Sequence, residues 1–539
     1  MPIDYLKIGQ AGELEGGDRK LYRRLEMAPG ILSWGTLLVL LIFSYFKPVW
    51  VAYFIIAFDV YWLLLVLYLG LHLISSYRRL QKNKKINWRQ KLESLFDKES
   101  LKDLPKDSLA RQGLNWQDVI QLVVLPTSYE SLDIIRPTFE ALLGDGYPTK
   151  NMIVVFAIEE RAGKEAQERA EIVKKEFGYK FKEFLITIHP DGIAGELKGK
   201  GANQAWAAKI VKKEIIDRKN LDYGKILVSV FDIDTRVESG YFSCLTYKFL
   251  TVSSPYRASF QPVPVYHNNI WRAPFFARVA ASSNTFWQMM QQIRQEKLAT
   301  YSGHSMTWQA IVDINFWSTS MVSEDSRIFW HCFMYYNGDY RVEPMYFFVS
   351  MDTTEDATSW QTIKSLYKQQ RRWGWGVENL PYLVFNAIKR WKQVPKLKVI
   401  NKILVQVYGF HSWATNALII AVIGWMPMLL GGDRFNSSVL SGNLPLITRT
   451  LMMLAMVGLV LSAIVSTLLL PPKPKRYGPI KYIKMFLQWI ILPFSIIIFG
   501  AIPGLEAQTR LMLGGKFRLG FQVTPKGDAS KHNVNWDQE

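Results

Sequence analysis

The stretch KILVSVFDID (residues 225–234) decides how the chain is organised. Its first seven residues form an apolar, β-branched run with no polar alternation, the pattern of a strand buried on both faces. The run then breaks into two carboxylates, Asp232 and Asp234, one residue apart. Working outward, QLVVL (121–125), MIVVFAI (152–158) and FLITI (184–188) repeat the same kind of run. Helical patterns fill the intervals at 163–177 and 202–218. Strand and helix in alternation predict a doubly wound, Rossmann-like α/β domain over residues 116–380. Ligands of such sheets bind beyond the carboxyl ends of the strands. Asp232 and Asp234 therefore stand at the edge of a cleft, where hard oxygen ligands suit Mg²⁺ or Mn²⁺.

On both sides of this domain the composition changes. Residues 31–46 and 49–74 are apolar runs separated by Lys47-Pro48. A hydrocarbon core of ~30 Å needs about 20 apolar residues, so a transmembrane hairpin over 31–76 fits. Residues 1–30 are a polar, cytoplasmic N-terminal segment and 77–115 a basic, partly helical linker. A basic stretch with Trp391 at 381–402 reads as interfacial. Three apolar segments follow within 403–503 (403–430, 445–470 and 484–503), and then a tail, 504–539. If all three cross, the tail ends outside. Arg510, Lys516, Arg518 and Lys526 favour the inside, and the sequence leaves this open. Asp59 falls within the second apolar run, either hydrogen-bonded to a neighbouring helix or functional.

The net charge of +19 is concentrated. Residues 78–91 carry seven Lys/Arg, 389–402 six and 473–484 five, with no acid in any of them. Each cluster abuts an apolar run, so the basicity reads as membrane topology and contact with anionic lipid, not nucleic-acid binding. Abundant aromatic and β-branched residues exclude a disordered chain. Two cysteines, Cys244 and Cys332, exclude a disulfide scaffold and a four-cysteine zinc site.

Two more motifs carry chemistry. Glu324-Asp325 opens a helical pattern after Ser323. Alone it reads as a helix cap with acids in the first turn. Gln369-Gln370-Arg371-Arg372-Trp373 joins an amide, a guanidinium suited to phosphate and a flat aromatic face. Alone it also reads as a basic, aromatic membrane-surface stretch.

In order, D-x-D, Glu-Asp and Q-x-x-R-W, flanked by apolar spans, resemble the membrane-embedded family 2 glycosyltransferases, the group of cellulose, hyaluronan and chitin synthases. The tail stretches Glu506-Ala507-Gln508-Thr509-Arg510 and Phe521-Gln522-Val523-Thr524-Pro525-Lys526 extend the resemblance. It implies a GT-A catalytic domain inserted between membrane helices and an inverting hexosyl- or N-acetylhexosaminyl-transferase. It also implies Mg²⁺ or Mn²⁺, a nucleotide-sugar donor, a glycan or lipid-linked acceptor, and secretion or regulatory subunits. In its terms Asp325, beside Glu324, is the general base. Asp234 ligates the metal, and Asp232 the metal or the ribose. Gln369 and Arg372 steady the diphosphate, and Trp373 the acceptor end. Thr127 and Glu130, in Pro126-Thr127-Ser128-Tyr129-Glu130, wall the nucleotide. Lys200, in Lys198–Asn203, reaches the diphosphate or belongs to a glycine-flanked turn. Glu159, in Glu159-Glu160-Arg161, stands where the family has an aspartate that reads the base. His304 contacts the acceptor or is structural. Trp308, Trp317 and Trp375 line a saccharide path or pack a core. Chain extension, single transfer to a polyprenyl phosphate, and an inactive transport or scaffold protein are the competing readings.

Overall fold

The computed structural model describes residues 4–520 apart from Arg476. The stretch 521–526 and Lys526 lie outside the described residues.

The catalytic domain is built on eight strands: β1 (Ile120–Thr127), β2 (Met152–Glu159), β3 (Glu183–His189), β4 (Ile226–Val230), β5 (Arg236–Val237), β6 (Ala258–Val265), β7 (Ser305–Thr307) and β8 (Arg341–Ser350). They form one sheet in the order β3-β2-β1-β4-β7-β6-β8-β5. β1 to β4 are parallel, with Gln121 opposite Met152 and Ile120 opposite Ile226. β7 runs antiparallel to β4 and β6, and β6 and β8 pair parallel. Every residue of β1, β2 and β4 is buried, which is why those runs are apolar without alternation. The side chains still alternate between faces: Leu122 and Val124 enter one core, Val123 and Leu125 the other. Chain order reverses between β1 and β4, so the loops leaving their carboxyl ends diverge and leave a crevice.

Among the described residues, five helices are long and apolar enough to cross a membrane: Gly16–Phe46, Pro48–Lys84, Lys396–Leu430, Val439–Leu468 and Ile480–Leu513. The first four make two out-and-back pairs. Their far ends meet where Ala52, Phe435 and Leu444 pack together and Gly431 approaches Pro48. Their near ends are tied to the catalytic domain: Lys84 pairs with Glu238 at 3.2 Å, and Lys398 donates to the carbonyl of Gly338 at 2.6 Å. Leu73, Ala463 and Val465 pack against Val263 and Phe348.

The fifth helix behaves differently. Met485 packs on Ile270 and Trp271, and Gln488 accepts a bond from Arg278 at 2.7 Å. Phe499 packs on Phe276, and Glu506 pairs with Arg371 at 2.7 Å. The segment thus touches the catalytic domain from end to end. A 3-10 turn at Gln488–Ile491 and a π-turn at Ile497–Ala501 let it bend along that face. Gly374 makes the approach possible, since a Cβ there would sit 3.3 Å from Gly504 Cα. Both ends lie on the catalytic side, so Arg510, Lys516 and Arg518 lie there too.

The stretch read as interfacial also divides. Asn379–Lys389 is a helix whose Tyr382, Leu383 and Phe385 are fully buried. Its basic continuation leads into the Lys396–Leu430 helix. Asp59 is buried between the second and fourth long helices, facing Thr448.

Candidate active site

A cavity of about 680 Å³ occupies the crevice at the β1/β4 reversal. Thr127 and Glu130 reach it from the end of β1, Glu159 from β2 and Asp232 from β4. Glu130 folds back to accept bonds from the Thr127 hydroxyl (2.8 Å) and the Ser128 amide (2.7 Å), which shapes that wall. Glu159 pairs with Arg161 at 2.5 Å.

Lys200 opens the Lys200–Val211 helix and stands at the centre. Its ammonium lies 2.8 Å from Asp232 Oδ1 and 2.7 Å from Asp325 Oδ2. Burial disfavours the charged amine, but Asp232, Asp325 and Glu324 outweigh that and hold its pKa well above the ordinary lysine value. The lysine therefore gathers the D-x-D and Glu-Asp motifs into one cluster. Glu324, 3% exposed, has its carboxyl pushed up, first by burial and then by the charge of Asp325. The neighbouring helix must come close here. A Cβ on Gly201 would stand 3.1 Å from Glu324 Cγ.

The Ser359–Gly374 helix brings Gln369, Arg372 and Trp373 to the same cavity. Gln369 is held by a bond from the Thr354 hydroxyl (2.8 Å), and Trp373 lies against Tyr266 with ring centres 6.0 Å apart. Beyond them the wall continues into the long helices: Trp62, Leu65 and Leu69 on the second, Trp413 and Asn416 on the third, Phe499 on the fifth.

Other residues singled out from the sequence lie off the cavity wall. Asp234 is 1% exposed and off the cavity wall; its Oδ2 accepts the amide of Asp352 (3.0 Å), which does face the cavity. His304 is fully buried behind the base. Its Nδ1 is 2.9 Å from the Tyr301 carbonyl and 3.9 Å from Asp325 Oδ1, and Trp317 Nε1 approaches its Nε2 at 3.5 Å. Burial lowers its pKa, against the opposing pull of Asp325. Trp308, Trp317 and Trp375 are core residues. Ser323 is not a side-chain cap; its hydroxyl bonds Glu378 instead.

Ser302, Tyr266, Asp352, Arg294 and Trp413 line the cavity without having been signalled by a motif. Ser302, which donates to Asp232 Oδ2 at 2.9 Å, was legible only as the neighbour of Gly303, whose φ of +83° turns the chain there.

Among the described residues no three carboxylate, histidine or cysteine side chains cluster as an all-protein metal cage. The D-x-D pair fits a different arrangement. Asp232 offers hard oxygens at the cavity with Asp234 behind it, suiting a cation that draws its other ligands from phosphate and water.

A mixed α/β sheet with carboxylates at its reversal point, mounted on apolar helices, is a GT-A catalytic domain in a membrane setting. The chain belongs to the glycosyl transferase family group 2, whose profile matches residues 227–501, just over half of its length. Among solved structures it is similar to a mannosyltransferase from Pyrobaculum calidifontis in complex with GDP-Man and Mn²⁺. The two are 12% identical over 76% of this chain and 98% of that one, with a TM-score of 0.38. It is also similar to residues 1–349 of S. aureus TarS in complex with UDP-GlcNAc, at 10% identity over 65% of this chain and 91% of that one, TM-score 0.35. No curated protein matches.

Proposed function

We propose that the protein is an inverting, divalent-cation-dependent transferase that moves a hexose or N-acetylhexosamine from a nucleoside-diphosphate sugar onto a growing polysaccharide or glycolipid glycan. Its catalytic domain faces the cytoplasm at the cell membrane, as the basic clusters beside the apolar runs favour. The observation that carries this reading is the continuity of one cavity. It runs from Asp232, Lys200 and Asp325, past Gln369, Arg372 and Trp373, to Trp413 and Phe499 on the long helices.

The chemistry follows from the groups present. Asp325 takes the proton of the acceptor hydroxyl as that oxygen attacks the anomeric carbon; a positioned base contributes roughly 10²–10⁴-fold. Lys200 fixes that carboxylate and adds positive charge beside Asp232. Arg372 and Gln369 meet the departing nucleoside diphosphate, Arg372 with a fork suited to phosphate. Asp232, with Asp234 behind it, would hold Mg²⁺ or Mn²⁺, which would add charge neutralisation on the diphosphate. Trp373 provides a flat face for the acceptor sugar. With a base on the acceptor side, an α-linked donor yields a β-linked product.

A second reading, single transfer to a polyprenyl phosphate, is favoured by Arg294 and Lys297, which share the cavity wall with Trp62, Leu65 and Leu69. Two cations beside apolar helix faces suit a lipid-borne phosphate.

The deciding experiment screens nucleotide sugars for nucleoside diphosphate release by the purified protein in lipid with Mn²⁺ or Mg²⁺. Release with one donor, abolished by Asp325→Asn and Asp234→Asn, supports the reading, and product size separates polymer from single transfer. A product that retains configuration refutes the inverting mechanism. Failure to bind metal and nucleoside diphosphate returns the chain to an inactive scaffold.

A further inference from the structure

The buried carboxylate of Glu378 belongs to none of the motifs, yet it touches the back of two of them. It is 2% exposed and lies in the turn Trp375–Glu378 that ends the Q-x-x-R-W helix. Its Oε1 accepts from the amide (3.1 Å) and the hydroxyl (2.6 Å) of Ser323, the residue before Glu324-Asp325. Its Oε2 accepts from Trp375 Nε1 at 2.9 Å and faces an Arg518 guanidinium nitrogen at 3.9 Å. The same helix start is held a second time. Arg327 donates to Asn379 Oδ1 at 2.7 Å and to the Glu378 carbonyl at 3.3 Å, while Asn379 donates to the Ser326 hydroxyl at 2.8 Å.

Arg518 extends the connection. It pairs with the buried Glu26 at 2.7 Å and lies over the Trp375 ring at 5.6 Å. Glu26 also receives Arg23 at 2.9 Å, and Arg23 in turn donates to the carbonyl of Leu511. The N-terminal helix, the end of the fifth helix and the base-bearing turn therefore converge on two buried carboxylates joined by one guanidinium.

We propose that Glu378 is a positioning residue for Asp325. From the cavity side Lys200 pulls on Asp325 and Asp232. From behind, Glu378 fixes the backbone of Ser323 against the end of the Q-x-x-R-W helix. The base and the diphosphate-binding arginine are thereby held at a set distance. Both oxygens of Glu378 are engaged by donors, so a glutamine, which has one accepting oxygen and a donating amide, satisfies one side and confronts the other with N–H. Its volume is nearly unchanged, so folding is spared while the turn loosens. A misplacement on the order of 1 Å costs a rate of up to about 10²-fold.

The inference rests on the transferase reading, and the experiment separates the two. Donor turnover and nucleotide binding are measured for the unsubstituted protein, Glu378→Gln, Ser323→Ala and the double variant, with thermal unfolding of each. Glu378→Gln is expected to lower kcat by roughly 10–100-fold, with donor KM, nucleoside diphosphate affinity and unfolding temperature close to those of the parent. Ser323→Ala is expected to cost less, and the two together less than their product, because they share one contact. If the parent turns over a donor and Glu378→Gln matches its kcat, the inference is overturned alone. It is equally overturned if kcat and unfolding temperature fall together, or if the two substitutions are fully additive. A parent protein that turns over no sugar nucleotide overturns the transferase reading and this inference with it.

Discussion

Replacing Lys200 by methionine removes a cation that joins the two acidic motifs while keeping the length of the side chain. Two charge-assisted contacts go, at 2.8 Å to Asp232 and 2.7 Å to Asp325. Hydrogen bonds to charged groups contribute about 1.5–3 kcal/mol each. The lysine side chain is 11% exposed and the two carboxylates 28% and 21%, so water replaces part of the loss. The low end of the range applies, about 3 kcal/mol in total. If that is spent on misplacing Asp325, kcat/KM falls on the order of 10²-fold, since each 1.36 kcal/mol is tenfold. The assay is nucleoside diphosphate release by the detergent-purified protein with saturating Mn²⁺. Lys200→Arg should fall in between, because a planar fork keeps the charge but not the point contact between two carboxylates. In the Asp325→Asn background the same substitution should cost less, because the anion that Lys200 orients is gone. A Lys200→Met enzyme within about twofold of the parent, or full additivity with Asp325→Asn, would refute the reasoning.

Other outcomes follow from particular contacts. Gly201→Ala drives a methyl to 3.1 Å from Glu324 Cγ and the Ser318 carbonyl, so it should destabilise by roughly 1–3 kcal/mol; a denaturation midpoint equal to the parent's would contradict the close approach. Single cysteines test the path of the fifth helix. With Cys244 and Cys332 buried, a cysteine at Lys516 should react only from the side that labels the catalytic domain, and one at Lys47 only from the opposite side. Burial, with Arg327 and Lys7 nearby, lowers the His331 pKa from 6.5 to about 3. Burial likewise lowers that of His267 to about 4. The folded state refuses a proton that the unfolded state accepts, so stability is complete above pH 6.5 and is lost as pH falls toward 3–4. The slope is about 1.4 kcal/mol per pH unit for each ring. His331→Met should make the unfolding temperature measurably less sensitive to acid; an unchanged slope would show that this histidine titrates normally in the fold.

The parallel half of the sheet was legible because burial on both faces leaves a residue-level signature: β1, β2 and β4 are continuous apolar runs. Their carboxyl ends pointed to Thr127, Glu159 and Asp232, all of which face the cavity. What the sequence could not rank was which of two equivalent groups faces the cleft. Asp232 and Asp234 differ by one residue, and a strand end that turns after Phe231 decides that one meets the cavity while the other braces Asp352. His304 sits beside the end of β4 because β7 pairs with β4, a long-range contact no local pattern encodes. The fifth long helix shows the same limit in another form. Apolarity records that a face avoids water, and a hydrocarbon core and the flank of a folded domain satisfy that equally. Composition therefore did not show that one side of 484–503 also packs along the domain. The polar residues that part the two cases are Gln488 against Arg278 and Glu506 against Arg371, and each acquires meaning only when its partner, more than a hundred residues away, is brought beside it. Glu378 is hidden for that reason as well. Within its own helix turn it is one acid among basic and aromatic neighbours, and only the approach of Ser323 turns it into the support of the base.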